Sequence, residues 1–548
     1  MPRHRWLKIA EPSDVSPGGK ARGWVAAALI SLCFVVYSAA GVAGVDFGEV
    51  HWDEPMVLGN ARYMLNTGTP LPRHYMHPGA SVLLLAASVP DLAWDRLPSG
   101  RETEAIRRPA LLRARSVFSI VTATTIIAAA LAAFARRRSH VEAVLAAAIV
   151  AGSFELSSHG RFLVPDGVLT AATAWAICAA VWSKRQPKLL WLAAAFAGLA
   201  ASSKYSGAIV LAPVLIAAGF VTERRLAHIV GVVAVACTAF ALGTPGIIVE
   251  PRLVIGAFKY QQHVYADGFF GYSVFGWFNH AKVIAQLIST ALSSNIAAIA
   301  VTWASLAGIS VIIEVRRMRT SKDIDTSMFI ILGFGLAWTL VFWRHPAHFA
   351  RNFLPLIPVV AVLAARGAVE LVAGMAARAA NGTLAVLVML AVISMVDVVS
   401  AAASIQSKAQ PVVDLLEFVD IHADEMFLTS PAVAESLAKV DGEPRRNLIT
   451  GSAAPVVATR LIAFPGELLS MSQWGGSDTF LADEVFGTRE INWNLYPTWD
   501  GARAIVMKLD KARDLGANLD FNAHSSLPVP PPFPDDLIKI ELPLLRGQ

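Results

Sequence analysis

The run ARGWVAAALISLCFVVYSAAGVAG, residues 21–44, is followed at once by VDFGEVHWDEPMVLGNARYMLNTGTPLPRHYMHPG, residues 45–79, and this junction decides how the chain is read. The first piece is apolar over the ~20 residues a helix needs to cross the hydrocarbon of a bilayer. The second is polar, aromatic and rich in Gly and Pro. At its centre stand adjacent carboxylates, Asp53 and Glu54, with His51, Arg62, Arg73, His74 and His77 nearby. A span that delivers such a loop to a membrane surface suggests a membrane enzyme whose remaining chain is scaffold.

Ahead of the first run lie Arg3, Arg5, Lys8 and Lys20. A basic flank with an apolar core also fits a signal peptide. The length of the run, and the further spans after it, favour a first transmembrane helix with a cytoplasmic N-terminus.

Composition agrees. The 548 residues are 55% hydrophobic and 16% charged, with mean hydropathy +0.53, whereas soluble chains carry about 25% charge. The net charge of +5 suits basic residues held in cytoplasmic loops and argues against a nucleic-acid partner. Cys33, Cys178 and Cys237 all lie inside apolar runs, so neither a disulfide framework nor a cysteine metal site is expected.

Ten more spans are expected, at 117–134, 141–154, 168–182, 189–202, 206–221, 226–248, 282–313, 328–343, 353–372 and 383–404, about eleven in all. Residues 80–94 are too few to span and read as a helix lying at the interface. The Arg and Lys clusters at 136–138, 184–188, 224–225, 316–322 and 378 fall on alternate loops, as cytoplasmic loops should. The opposite set of loops holds Asp53, Glu54, His159, Arg161, Asp166, Lys204, the Tyr- and Gly-rich segment 250–280, and Arg344 to Arg351. Every loop with chemical character therefore lands on one face, the external one.

From about Lys408 the composition becomes that of a soluble domain. MFLTSPAVAESLAKV (426–440) reads as strand then helix and ARAIVMKL (502–509) as a strand. The expected organisation is a polytopic α-helical membrane domain over 1–404, with its first external loop and interfacial helices at 45–116. A small extracytoplasmic α/β domain follows over 405–548, with a Pro-rich run at 528–534.

Each candidate has a plain structural reading beside the chemical one. Asp53-Glu54-Pro55 is a good helix start; it also offers a general base or a ligand for a divalent cation. Asp166 after Pro165 reads as a cap. Three ionisable groups, His159, Arg161 and Asp166, at the hydrocarbon boundary are costly and point to function. Lys204, in ASSKYSG, is either a snorkelling lysine or a cation for a phosphate. Arg344, His345, His348 and Arg351 invite the same phosphate reading, since a guanidinium suits bidentate contact. The aromatics of GFFGYSVFGW (268–277), Tyr272 among them, form an interfacial belt or a platform for a sugar. No Walker A loop, dinucleotide fingerprint, HExxH or GxSxG stands out, which argues against ATP-driven catalysis.

Several segments together resemble membrane glycosyltransferases of the GT-C fold, and are most similar to bacterial relatives of the protein O-mannosyltransferase (family 39) and aminoarabinose transferase group. The matching pieces are HWDEPMVLGNARYMLNTG with YMHPG, SSHGRFLVPDG, ASSKYSG, GTPGIIVEP with FKYQQHVYADGFFGY, and FARNFLPLIPVVAVLAARG, in the family's order. The resemblance implies a polyprenyl-phosphate sugar as donor, used at the outer face of the plasma membrane on a lipid, glycan or protein acceptor. It implies Asp53 as catalytic base with Glu54 beside it, and a site completed by His159, Arg161 and Asp166. Lys204 and Arg351 are implied on the donor phosphate. Where the family has a double proline the chain has Pro78-Gly79, and where it has Arg-Tyr the chain has Arg351-Asn352.

The expected function is thus an inverting glycosyltransferase. The rival from another class is a transporter or lipid flippase, which would place ionisable groups near the midplane on broken helices with an internal repeat. A third reading is a non-catalytic assembly or receptor subunit that works through its tail.

Overall fold

A computed structural model of the chain describes residues 17–45, 54–92, 101–221, 225–267, 276–292, 297–320, 325–346, 348–404, 410–429, 434, 446–449, 458–463, 484–486 and 504–510. Asp53, Tyr272 and the Pro-rich run at 528–534 lie outside the described residues.

The helices, in chain order, are α1 (Pro17–Ala43), α2 (Glu54–Thr67), α3 (Ala80–Ser88), α4 (Arg101–Arg137), α5 (His140–Ala151), α6 (Phe154–Gly160), α7 (Pro165–Ser183), α8 (Leu189–Ser203), α9 (Leu211–Val221), α10 (Arg225–Gly243), α11 (Gly246–Val249), α12 (Pro251–Asp267), α13 (Trp277–Leu292), α14 (Ala297–Thr320), α15 (Thr326–Trp343), α16 (Ile357–Ala373), α17 (Ala377–Ser404) and α18 (Gln410–Ile421). Single 3-10 stretches, Tyr205–Val210 and Ala350–Leu356, lead into α9 and α16. Eight helices are long and apolar enough to cross a membrane; α5 and α6 form one broken span, and Leu189–Ser203 and Tyr205–Phe220 are shorter apolar helices. These segments fall where the sequence placed its spans.

Two details differ from expectation. The region expected as an outer turn at 157–167 is mostly helical. Gly152 ends α5, and Ser153 caps α6 by accepting from the Leu156 amide at 3.3 Å. The chain bends by 60° there. All of α6 is buried, including Glu155 and His159. The expected single span 282–313 is two helices, with only α14 of spanning length. α13 carries His280 and Lys282 among its apolar residues and exposes Trp277 and Phe278 at its start, as a helix at a polar–apolar boundary does.

Small residues let the spans approach closely. The buried face of α7 is Ala171, Ala172, Ala174, Ala176, Ala179 and Ala180. α8 brings Ala193, Ala194, Ala197 and Gly198 to its partners. A Cβ on Gly198 would stand 2.2 Å from the Ala236 carbonyl oxygen of α10, so only glycine permits that crossing.

At one end of the bundle, Arg137 of α4 and Arg317 of α14 both pair with Glu370 of α16, and Arg366 pairs with Glu314. Arg137 and Arg317, from two of the basic clusters, thus meet, as their shared parity requires. Asp166, Lys204, Arg351 and the start of α2 come together at the other end.

Beyond α18 the described residues form a five-stranded sheet of β1 (Phe427–Thr429), β2 (Leu448–Ile449), β3 (Arg460–Ala463), β4 (Glu484–Phe486) and β5 (Ala504–Lys508), in the order β2-β1-β3-β5-β4. β1 runs parallel to β2 and β3, while β5 is antiparallel to β3 and β4. β1 and β5 lie within the two segments read as strands from sequence.

Candidate active site

The site is assembled by one anchor and one ion pair. The anchor is Glu54, the first residue of α2. Its Oε1 and Oε2 accept from Arg115 Nε and Nη2 of α4 at 2.9 and 2.6 Å, and Oε1 also accepts the Leu163 amide at 2.9 Å. Arg115 donates its Nη1 to the Val45 carbonyl at 3.0 Å. Both charges are buried, at 0% and 1% exposure. Four separate stretches are thereby fixed to one another: the end of α1, the start of α2, α4, and the turn before α7. Both oxygens of Glu54 are engaged in these contacts. Arg115 carried no signal in the sequence beyond being a basic residue near the start of an apolar run.

The turn held by Glu54 leads into Pro165 and Asp166, at the first turn of α7. Asp166 is 1% exposed. Its Oδ1 accepts from Lys204 Nζ at 2.7 Å. Lys204 ends α8 in extended backbone, which turns its side chain across the bundle toward α7. The same ammonium donates to Asn352 Oδ1 at 3.0 Å, and the Tyr265 hydroxyl of α12 donates to that oxygen at 3.1 Å. The Asn352 carbonyl accepts from Trp338 Nε1 at 2.8 Å. Arg351, stacked over the Phe349 ring at 5.1 Å, lies close enough to act electrostatically on both Asp166 and Lys204. Residues some 150 positions apart in sequence share one polar cluster, held between apolar helices.

His159 borders this cluster, while Arg161 turns to the end of α1. His159 Nε2 lies 3.4 Å from Glu155 Oε2, one helical turn away, and the ring is close enough to act electrostatically on Asp166. Arg161 is 1% exposed and donates Nη2 to Ser157 Oγ at 2.8 Å. Its guanidinium reaches the end of α1, where a Cβ on Gly44 would stand 2.9 Å from Nη1. Arg344 is exposed at the end of α15 and is not brought to the cluster. His348 is buried and bonds to His280 of α13, Nε2 to Nδ1 at 2.8 Å, rather than to Asp166 or Lys204. Burial first, then His280 and His345, push the His348 imidazole down to about 3, so this pair is neutral at pH 7.

The loop 71–79 closes one side. Tyr75 donates to Glu250 Oε2 at 3.2 Å, and the Tyr205 hydroxyl donates to the Tyr75 carbonyl at 2.9 Å. The Gly79 amide donates to Thr244 Oγ1 at 3.1 Å. A Cβ on Gly79 would meet the Gly243 oxygen at 2.4 Å, so the glycine lets the loop seat against α10. Burial, and next His77 and Arg73, push His74 down to about 4. Asn352, Tyr265, Glu155 and Arg115 were not singled out from sequence. Asn352 had one signal, its place beside Arg351 in a polar break between spans.

Among the described residues no three His, Cys, Asp or Glu side chains gather as metal ligands. Of the Asp53-Glu54 pair, Asp53 lies outside the described residues and Glu54 is held by Arg115.

The site is thus a carboxylate, two cations and an anchored first loop at one end of a bundle of helices, eight of them long and apolar enough to cross a membrane. Residues 25–259 match the family described as dolichyl-phosphate-mannose-protein mannosyltransferase. That match takes in Asp53, Glu54, Arg115, His159, Arg161, Asp166 and Lys204 and ends before Tyr265 and Arg351. Curated proteins give no match by sequence. Among solved structures, ArnT from Cupriavidus metallidurans bound to undecaprenyl phosphate is similar at 13% identity and TM-score 0.45, covering 89% of this chain and 98% of that one. The archaeal oligosaccharyltransferase AglB from Archaeoglobus fulgidus, with an inhibitory peptide and a dolichol-phosphate, is similar at 10% identity and TM-score 0.44, covering 81% and 70%. The S. cerevisiae Pmt1-Pmt2 complex bound to its sugar donor is similar at 19% identity and TM-score 0.30, covering 47% and 36%.

Proposed function

We propose that the chain is an inverting glycosyltransferase that moves one sugar from a polyprenyl phosphate to an acceptor hydroxyl on the extracytoplasmic side of a bacterial inner membrane. The observation that carries the reading is the pair of buried Asp166 with Lys204, Arg351 beside it, at the end of the bundle to which Glu54 ties the first loop. The acceptor is a lipid, a glycan or a protein.

The chemistry needs two things. The acceptor hydroxyl must lose a proton as its oxygen attacks the anomeric carbon, and the phosphate that leaves with the polyprenol must be met by positive charge. Asp53 is assigned the proton. It directly precedes Glu54, which is held by Arg115. Lys204 and Arg351 are assigned the phosphate. Asp166 holds the Lys204 ammonium in place, so little reorganisation is needed as charge develops on the leaving oxygens. Attack from the face opposite the phosphate inverts the anomeric centre. The proton passes to Asp53, the glycosidic bond forms, the carbon–phosphate-oxygen bond breaks, and polyprenyl phosphate is released. The lipid chain of such a donor accounts for a site set at the edge of an apolar helical bundle.

The test is turnover by the purified protein in nanodiscs with synthetic polyprenyl-phosphate mannose, arabinose and glucose, alongside mass analysis of lipids and glycans from cells with and without the protein. Release of polyprenyl phosphate and appearance of a glycosylated product of inverted configuration are expected. Movement of labelled lipid between leaflets with no covalent product would replace this reading by the flippase.

A further inference from the structure

Asn352 sits at the centre of the cluster, 1% exposed, and its amide has a fixed orientation. An ammonium has only donors, so the atom 3.0 Å from Lys204 Nζ must be the carbonyl oxygen, Oδ1. The Tyr265 hydroxyl donates to the same oxygen at 3.1 Å, and the backbone is pinned by Trp338. Two donors on one side of the amide leave no freedom to exchange oxygen and nitrogen. The Nδ2 group therefore points away from both. It is buried and has no hydrogen-bond partner among the described residues. A buried amide NH2 left without an acceptor is costly, and native proteins seldom leave one so. Lys204 has spent two of its three N–H groups, on Asp166 and on Asn352. The remaining one lies beside the two N–H groups of Asn352, which have no acceptor among the described residues. The Arg351 guanidinium, next in the chain, adds charge.

We propose that Asn352 is a substrate-binding residue: its Nδ2, aimed by Lys204 and Tyr265, donates to a phosphate oxygen of the lipid donor, with Tyr265 as the positioning residue that keeps the amide from turning. This rests on the glycosyltransferase reading above. It adds a neutral donor where the sequence offered only cations. A neutral donor contributes direction to the anion without the desolvation cost of a further buried charge.

The decisive variant is Asn352→Asp. It is nearly isosteric, and its carboxylate still accepts from Lys204 and Tyr265, so the fold keeps its contacts. On the ligand side it replaces N–H donors with an oxygen that repels phosphate. The probe is undecaprenyl phosphate set against undecaprenol and inorganic phosphate, with binding to the protein in nanodiscs read as competition against a fluorescent polyprenyl phosphate. The wild type is expected to prefer undecaprenyl phosphate over undecaprenol by ten-fold or more, about the contribution of one charge-assisted hydrogen bond or greater. Asn352→Asp should lose most of that preference at an unchanged melting temperature, and raise the donor KM more than it lowers kcat. Tyr265→Phe should show a smaller loss in the same direction. Inorganic phosphate that competes as well as the lipid would assign the donors to a free anion and overturn the lipid assignment. Full phosphate preference in Asn352→Asp, or in Tyr265→Phe should the first variant not fold, overturns the proposal and leaves the glycosyltransferase reading standing. A wild type that does not distinguish the phosphate from the alcohol overturns both.

Discussion

Glu54→Gln takes the carboxylate away from an Arg115 guanidinium that is 1% exposed. Breaking a buried pair in this way costs about 3–5 kcal/mol, because the remaining charge keeps its desolvation penalty. The expected result is a clear fall in melting temperature in detergent, with activity lost in step with folding. The double variant Glu54→Gln, Arg115→Met should recover part of that stability. Asp53→Asn should behave differently: insertion and melting temperature unchanged, transfer abolished. A Glu54→Gln protein of normal stability but no activity would return Glu54 to the chemistry. Lys204→Met removes the cation from Asp166 and should lower kcat by about 100-fold or more, as loss of a preorganised charge does. Acid should also weaken the folded state through histidine. His348 is held down to about 3 and His74 to about 4, chiefly by burial, against about 6.5 in an unfolded chain. Between those values the unfolded state binds the extra protons, so stability rises with pH. The contribution is complete above pH 6.5 and fades as pH falls toward 3–4. Melting temperatures measured from pH 4 to 7 should therefore climb, and His348→Asn should flatten the climb.

Among the elements, the crossing of α14 and α16 depends on a glycine. A Cβ on Gly367 would lie 1.9 Å from the Leu306 carbonyl oxygen, a backbone atom with no freedom to retreat. Gly367→Ala should therefore push the helices apart and cost about 1–3 kcal/mol, seen as a lower melting temperature. α16 also carries the Arg366 and Glu370 contacts at the far end and continues from the stretch bearing Arg351 and Asn352. The same substitution should accordingly raise the donor KM. Unchanged stability and KM would show that the helix pair tolerates a wider separation. Here the sequence was a partial guide. The apolar period marks which segments are helices, but the break between α13 and α14 and the 60° bend at Ser153 depend on what packs around them. A hydropathy profile averages over such breaks, which is why 282–313 reads as a single span.

For the molecule, the two ends of the bundle make a test of sidedness. In a background with Cys33, Cys178 and Cys237 replaced by Ala, single cysteines at the exposed positions Arg73 and Arg344 should react with an impermeant reagent from outside the cell. Cysteines at the exposed positions Lys184 and Arg319 should react only after permeabilisation. Mixed labelling within either pair would break the topology on which the proposed donor and acceptor sides depend. Most of the spans, the alternation of basic loops and the likeness to GT-C enzymes are legible in the primary sequence alone. Each of these is a local property: transfer of apolar side chains into lipid is scored residue by residue along a helix, and so is legible in one dimension. Which polar groups meet is set by the way the helices pack. Glu54 with Arg115, Lys204 with both Asp166 and Asn352, and His348 with His280 are choices among many cations, carboxylates and imidazoles of equal local merit. The apolar packing of the helices settles them, because a buried charge or amide must take whatever partner the helix crossings bring within about 3 Å.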